Sequence, residues 1–563
     1  MKKTIIVMGL ALLLVLLAAC ARDDVNDDGA SDDETTYEQG GQDEVAGEDD
    51  AREDDAGGEE EQPPVQGREM ITVSVMNWDV ANSFPGGQEC AIYAYIQDRF
   101  GIEFVPYNVT WDNAWDLPLL WSAAGTLPDI IGASTWLGTE LLGDWIDTNV
   151  IRPLPEDLSR FPYLEAAVMH PAVQGFQMNG QNWFAPRSLS TDPTWFILSR
   201  SILNRRDWRE ELGIPLPQTE EDFLNMWRAF VDNDMGGSGM TFGMLSDAHL
   251  YITQATFAGH GDTRHAWVWD YDREEMIIPA FERTSLPLMS FYRQAFREGL
   301  IDPDFITNPS AVGRQNWTTG RAGTLLYMGS PTHLQQVYDH WVLNQDIPFG
   351  DAVEILMPPL MPGVTPLFND GVNFWSETYF NSSLDDERMD RVLEFFDWMY
   401  SDAGVRMMVF GIPGQDYELD ADGNVVMLTE LNDEGHHLRA SDIHPFAFGG
   451  MNYLVVWADD VVEFDNPTIP QVLRDMSREF GDRVLNDPTM GVVTIDSRIE
   501  AMHVTEANEL PLDATEEWID FMTNTSDLSD EALWEQFYER WIAHGYGRAR
   551  DAMTAAVIEA GYH

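Results

Sequence analysis

Segments with the hydrophobic period of a helix alternate along the chain with short apolar runs typical of strands. The clearest helix begins at Thr219, because Thr219 and Asp222 have the spacing of a capping box. Apolar residues then recur at the spacing of one helix face: Phe223, Met226, Trp227 and Phe230. By the same signs, Ser383 and Ser529 are predicted to cap two later helices.

The short apolar runs predict the strands of parallel α/β layers. They are residues 71–75, 130–131, 324–328 and 353–357. The first run is followed by residues 76–79, and the second by a loop that begins at Gly132 and includes Trp136. Open α/β sheets bind ligands at the carboxyl ends of their strands, so these following residues are candidates for ligand contact.

Turn-rich breaks divide this α/β pattern. They fall at residues 187–195, at residues 358–370 and after Phe410. Proline, serine and aspartate interrupt the apolar runs there, which favours extended chain that crosses a boundary. The chain is therefore predicted to cross a structural boundary at each of these places.

The amino-terminal segment has the pattern of a signal peptide. Lys2 and Lys3 precede an apolar run, residues 5–19, that is shorter than a membrane-spanning helix and ends in small residues before Cys20. This ending resembles a lipobox, which predicts lipidation at Cys20; a secretory signal with a chance cysteine is the alternative. Residues 21–69 are acidic and nearly free of large apolar side chains, which predicts a disordered tether or, alternatively, an acidic interaction tail.

The charge of the chain narrows the classes of partner. The formal net charge is −64, and no lysine follows Lys3. Such a surface repels nucleic acid. A saline medium, where salt screens repulsion, and a plain acidic bias with a coding preference for arginine both remain open. With Cys20 lipidated, Cys90 has no disulfide partner and is predicted to be a buried thiol at the start of a helix.

Ordered segments of the chain resemble one protein family. The longest reads Arg206-Asp207-Trp208, then Leu212-Gly213, Pro217-x-Thr219 and Asp222-Phe223. Further matching segments are Leu127–Ile131, Tyr292–Pro303, Gly320–Gly323 and Phe396–Gly414. In their order and spacing, over roughly residues 70–563, they resemble the extracellular solute-binding proteins (family 1) of bacterial ABC importers, in the lipoprotein branch that captures oligosaccharides.

This resemblance implies a two-lobed, type II periplasmic-binding-protein-like α/β fold. The predicted organisation is a signal peptide at 1–20, a tether at 21–69, a first lobe at 70–187 and 366–410, and a second lobe at 192–358 and 415–563. It also implies a monomeric, lipid-anchored receptor on the extracellular or periplasmic side of the cell membrane. Such a receptor binds a carbohydrate in the cleft between the lobes and delivers it to ABC permease subunits.

Two other classes stay open at this point. A secreted carbohydrate-active enzyme is one, although no nucleophile-elbow, zinc-protease or phosphate-loop motif occurs in the chain. The other is a structural or adhesive surface lipoprotein, which explains the anchor and the tether but not the ordered family segments.

Aromatic side chains in loops after strands or at the lobe crossings are the candidates for stacking on sugar rings, because helix-stripe aromatics serve the core. They are Trp78, Trp136, Trp195, Tyr327 and Trp375. The predicted polar companions are Asp79, Ser134, Arg187 and Asn373. For each of these residues, packing or capping is the alternative to ligand contact.

No metal or cofactor is predicted. The resemblance implies a calcium loop at residues 232–243, where Asp232 and Asp234 are suitable ligands. Side chains without carboxylate or amide oxygens stand at the remaining ligand positions: Gly236, Met240 and Thr241. Residues 420–424 look superficially similar, but their apolar flanks predict a hairpin turn. The three histidines at 436, 437 and 444 lack metal-site spacing.

Overall fold

The structure is a computed structural model, and it describes most of the chain from Arg68 onward. The described residues are 68–78, 80, 90–110, 113–114, 116–134, 138–187, 197–198, 200–247, 267–308, 311–369, 374, 376–444, 454–455, 462–493, 496–500 and 502–563. The residues from Gln39 to His563 fall in one compact unit. Every described residue belongs to this unit, and Cys20 lies outside the described residues.

The strands are short and spread over the chain. They are β1 (Ile71–Trp78), β2 (Ile102–Val109), β3 (Ile130–Ser134), β4 (Ile151–Arg152), β5 (Phe184–Arg187), β6 (Ser201–Arg205), β7 (Phe242–Ser246), β8 (Val268–Asp270), β9 (Glu275–Ile277), β10 (Ala322–Tyr327), β11 (Val353–Leu356), β12 (Leu367–Asn369), β13 (Ser376–Asn381), β14 (Tyr417–Leu419), β15 (Val425–Met427) and β16 (Gly491–Val493).

Helices surround these strands. They are α1 (Ala91–Phe100), α2 (Asp116–Ala124), α3 (Gly138–Asp147), α4 (Pro162–Val168), α5 (Pro171–Gln174), α6 (Arg206–Glu211), α7 (Glu220–Asp232), α8 (Leu286–Arg297), α9 (Val312–Thr318), α10 (Pro331–Asn344), α11 (Phe349–Ala352), α12 (Asp386–Tyr400), α13 (Asp402–Phe410), α14 (Ala440–Ile443), α15 (Gln471–Asn486), α16 (Ser497–Glu500), α17 (Thr505–Asn508), α18 (Ala514–Thr523), α19 (Asp530–Ala543) and α20 (Tyr546–Ala560). Within the described part of the chain, none of them has the length and apolar character to cross a membrane.

Two open sheets organise the molecule. The first has the order β2-β1-β3-β13-β4, with β5 also paired to β13. In it, β1 runs parallel to β2 and β3, whereas β13 runs antiparallel to its neighbours. The second has the order β11-β6-β10-β7, with β10 parallel to β7 and antiparallel to β6. A short parallel pair, β12 and β16, joins residues that are far apart in the chain.

Two of the three predicted helix starts are confirmed. The Thr219 hydroxyl accepts from the backbone N–H of Asp222, whose carboxylate accepts from the Thr219 N–H. Ser529 likewise caps α19. The prediction that Ser383 caps a helix is wrong, because α12 begins later and its cap is Asp385, which accepts from the Arg388 N–H. A carboxylate two residues on competes better for the free N–H groups of the first turn, where the helix dipole favours an anion.

Two sequence-based boundaries are also corrected. Trp78 and Ser134 were expected in loops, but β1 extends to Trp78 and β3 extends to Ser134. Pairing explains the extension of β1, since β2 matches it residue for residue up to Trp78.

The prediction that Cys90 is a buried thiol is also corrected, because its side chain is half-buried. The predicted lobe limits stay a prediction; Leu454 and Val455, which the predicted second lobe includes, pack in the core around β1.

Candidate functional site

One edge of the first sheet gathers several of the predicted site residues. Because β1 and β3 are parallel, their carboxyl ends, Trp78 and Ser134, lie at the same edge. The antiparallel β13 begins there, with Glu377 opposite Ser134. Since β5 is antiparallel to β13, Arg187 at its carboxyl end lies opposite Ser376. The sheet topology therefore places residues from four distant segments together.

At this edge Arg187 lies over the indole of Trp78. The guanidinium carbon is 4.8 Å from the ring centroid, and Nη1 donates to the Ser376 hydroxyl at 3.2 Å. Both side chains are 0% exposed. A desolvated cation on an aromatic face is held by about 2 kcal/mol or more, so the pair fixes the orientation of the indole. Burial raises the pKa of the neighbouring Tyr400 well above its ordinary value, and the Arg187 charge partly opposes this.

The second sheet carries a comparable pair at its own carboxyl edge. The parallel strands β7 and β10 both end there, at Ser246 and Tyr327, and Asp247 follows directly. The Arg314 guanidinium carbon lies 4.8 Å from the Tyr327 ring centroid. Arg314 reaches this place from α9, whose approach requires glycine: a Cβ at Gly313 would lie 2.4 Å from Asp247 Cα.

Hydrogen bonds join this second pair into a network. Arg314 donates to the Tyr327 hydroxyl and, at 2.6 Å, to Gln336 Oε1. The Tyr327 hydroxyl donates to the same Gln336 oxygen at 2.8 Å. Asp247 Oδ1 accepts from the Arg314 backbone N–H at 2.8 Å and lies 3.6 Å from Arg314 Nε. Arginine, tyrosine and aspartate are all buried, so the network holds polar groups in a fixed geometry at the sheet edge.

A buried carboxylate extends the polar region at the start of α10. Glu463 accepts from the Thr332 N–H at 2.7 Å and from the Thr332 hydroxyl at 2.5 Å. Ser330 Oγ lies 2.6 Å from His333 Nδ1 and 3.4 Å from Glu463 Oε1. In a catalytic triad the carboxylate orients the imidazole, but here it bonds the serine and the helix start. This arrangement caps α10.

The loop at residues 232–243, where the resemblance implied a calcium site and no metal was predicted, closes through its own side chains. Asp234 Oδ1 accepts from the Thr241 hydroxyl at 2.7 Å, and Asp234 Oδ2 accepts from the Gly239 N–H at 2.9 Å. The Thr241 hydroxyl bond lowers the pKa of Asp234. A Cβ at Gly236 would lie 2.1 Å from the Gly320 carbonyl oxygen, which leaves no room for a ligand side chain. The residues present therefore do not fit a calcium ion, and the described residues contain no cluster of three metal-ligating side chains.

The nine predicted site residues divide into those that the structure describes and those that it does not. Trp78 and Arg187 are in contact, and Ser134 reaches the same edge through its backbone, while Tyr327 lies at the edge of the other sheet. The others lie outside the described residues: Asp79, Trp136, Trp195, Asn373 and Trp375. The site stays a prediction.

Sequence reasoning missed the polar residues of the second edge: Asp247, Arg314, Gln336 and Glu463. Only Asp247 carried a usable signal, since it follows a short apolar run as Asp79 does. The other three reach the edge from helices or from a distant segment.

Comparisons with known proteins identify the fold. No family model matches the chain. The alginate-binding protein AlgQ2, solved without calcium ion, matches 87% of this chain and 98% of its own, with a TM-score of 0.65 and 15% identity. The S. pneumoniae ABC-transporter substrate-binding protein FusA, in complex with kestose, matches 87% of this chain and 100% of its own, with a TM-score of 0.65 and 16% identity. The chain thus has the two-lobed fold of these solute-binding proteins.

A sequence relative adds a partial match. Lipoprotein LipO of Bacillus subtilis (strain 168) is 25% identical over 248 residues, which cover 42% of this chain and 47% of LipO. The match therefore spans about half the length of that relative.

Proposed function

We propose that this chain is the solute-binding receptor of an ABC importer, and that it binds an oligosaccharide between its lobes and delivers it to the permease. The observation that carries the proposal is a buried aromatic–arginine pair at the carboxyl edge of each sheet, Trp78 with Arg187 and Tyr327 with Arg314. In a solute-binding fold these edges are where α/β sheets bind ligands.

The chemistry of the edges supports a carbohydrate. Sugar rings present C–H faces that pack on aromatic rings, and their hydroxyls need fixed donors and acceptors. Both kinds of group occur at the edges. The names of the structural relatives agree, since AlgQ2 is an alginate-binding protein and FusA was solved with kestose.

The mechanism is lobe closure. A ligand that contacts both edges at once stabilises the closed arrangement over the open one by its differential affinity, and the permease then receives the closed form. The chain's residues bind and orient the ligand and change no covalent bond.

Binding without turnover is the direct test of this function. The purified protein is titrated with oligosaccharides by calorimetry, and the recovered glycans are analysed by chromatography. We expect saturable binding and unchanged glycans. Hydrolysed or modified products would overturn the receptor in favour of an enzyme.

The receptor is proposed to be held at the membrane by lipid on Cys20, facing outward. Cys20→Ser removes the only sulfur that a lipoprotein-processing enzyme can modify in this segment. We expect the variant to leave the membrane fraction or to keep its signal peptide. A variant that is processed and anchored as before would refute the lipobox.

A further inference from the structure

An acidic surface with exposed apolar side chains follows α13. Residues 417–438, here the acidic ribbon, contain the strands β14 and β15 and a second short turn. Four of its apolar side chains are 41–57% exposed: Leu419, Val426, Leu428 and Leu431. The ribbon contains no lysine or arginine. Its six acidic residues are also exposed: Glu418, Asp420, Asp422, Glu430, Asp433 and Glu434.

The ribbon is ordered by its own hydrogen bonds. The Asp420 carboxylate accepts from the backbone N–H groups of Asp422 and Asn424 and from the Asn424 amide. These bonds lower the pKa of Asp420, the Asn424 amide being the largest cause, so the turn is anionic at neutral pH. A surface that is already ordered loses little conformational entropy when a partner binds.

The base of the ribbon touches two helices that pack in different core clusters, α13 and α10. Tyr417 packs on Phe410 of α13, which belongs to the helical layer on the first sheet. At the other end, the His436 ring meets the Tyr338 ring of α10 at 6.1 Å, and Arg439 forms a 2.7 Å ion pair with Asp339. A partner seated on the ribbon therefore contacts a segment fixed to helices on both sides.

The structure assigns this ribbon as a docking surface for a basic protein surface with an apolar centre. This partner surface is the outward face of the permease, an identification that rests on the proposed function. Like charge disfavours three other occupants: an anionic lipid surface, a second copy of this chain and its own acidic residues 21–69. Opposite charge around an apolar centre is the arrangement that gives both affinity and orientation at interfaces.

Charge reversal on the ribbon tests the assignment in the bacterium that encodes the chain. The test variant is Glu418→Arg with Glu430→Arg, and the matched control is Glu211→Arg with Glu559→Arg, which makes the same charge change on exposed helix residues. We expect the ribbon variant to import a labelled oligosaccharide roughly tenfold more slowly, because rim charges set association rates, while its calorimetric glycan affinity is unchanged. Import equal to that of the control would overturn the assignment.

A photo-crosslinking side chain at Val426 identifies the occupant, with Leu343, 81% exposed on α10, as the control position. We expect a product with a permease subunit from Val426 alone. A product with lipid or a second copy, or no product, would overturn the assignment. If wild-type cells import no glycan, the proposed function fails. The crosslink then tests the docking surface independently, because a product with a permease subunit does not depend on which solute is imported.

Discussion

At the edge of the first sheet a guanidinium lies on an indole, and at the edge of the second a guanidinium lies on a phenol. In the first pair, both partners are strand residues, and the pairing of β1 with β3, of β3 with β13 and of β13 with β5 brings Arg187 to the edge where Trp78 lies. In the second, Arg314 comes from a helix and is oriented by Asp247, Tyr327 and Gln336. The first edge therefore depends on packing and the second on a polar network, and the two should respond differently to substitution.

Trp78→Ala has the largest expected effect. The indole is completely buried, so its removal should cost about 3–5 kcal/mol of unfolding free energy and weaken glycan binding as well. Chemical denaturation without ligand measures the loss. A near-normal melting temperature would contradict this expectation and place the indole in an open cleft.

Asp247→Asn tests the polar network of the second edge. The amide still accepts from the Arg314 backbone N–H but no longer carries the negative charge that balances the buried guanidinium. We therefore expect a loss of about 1.5–3 kcal/mol of unfolding free energy. Asp272→Asn, at an exposed position, is the control and should be neutral. Equal stability of the two variants would show that Arg314 does not depend on this carboxylate.

Tyr327→Phe should cost less, about 1 kcal/mol, because Arg314 keeps Gln336 as an acceptor when the phenol oxygen is lost. The matched control is Tyr271→Phe on an exposed tyrosine. Glycan affinity should fall more at Tyr327 than stability does. If affinity is unchanged while stability falls, the second edge supports the fold without touching ligand.

Thr241→Val has the smallest expected effect and concerns a loop away from both pairs. Since Asp234 has a lowered pKa in the folded state, its contribution to stability is complete above the unfolded value of about 3.9 and is lost as pH falls through the folded pKa. Removing the hydroxyl should raise the Asp234 pKa and shrink this acid-dependent loss. Carboxyl NMR titration measures the pKa, and melting temperatures should not differ between calcium and chelator. A calcium-dependent rise would refute the self-closed loop.

The sequence predicted those parts of the fold that depend on local signals. The capping box at Thr219 and the apolar face of α7 need only neighbouring residues, and both are confirmed. The hairpin at residues 420–424 is confirmed for the same reason. Strand ends are harder to predict, because the partner strand decides them, as β2 does for Trp78.

The polar network of the second edge could not be predicted from the sequence, although Tyr327 itself was a candidate. Arg314 and Asp247 are 67 residues apart, and the close approach that joins them depends on Gly313, whose role is visible only in three dimensions. Likewise Glu463 reaches α10 from a segment more than a hundred residues away in the chain. Long-range polar networks leave no periodic pattern in a single sequence.

Closure of the lobes on one ligand is the central claim, and small-angle X-ray scattering of the purified protein tests it most directly. The radius of gyration is measured while the oligosaccharide that binds most tightly by calorimetry is titrated in. We predict that the radius falls and that the fall saturates at the same ligand ratio as binding. A glycan that saturates the protein in calorimetry but leaves the radius of gyration unchanged would contradict the account.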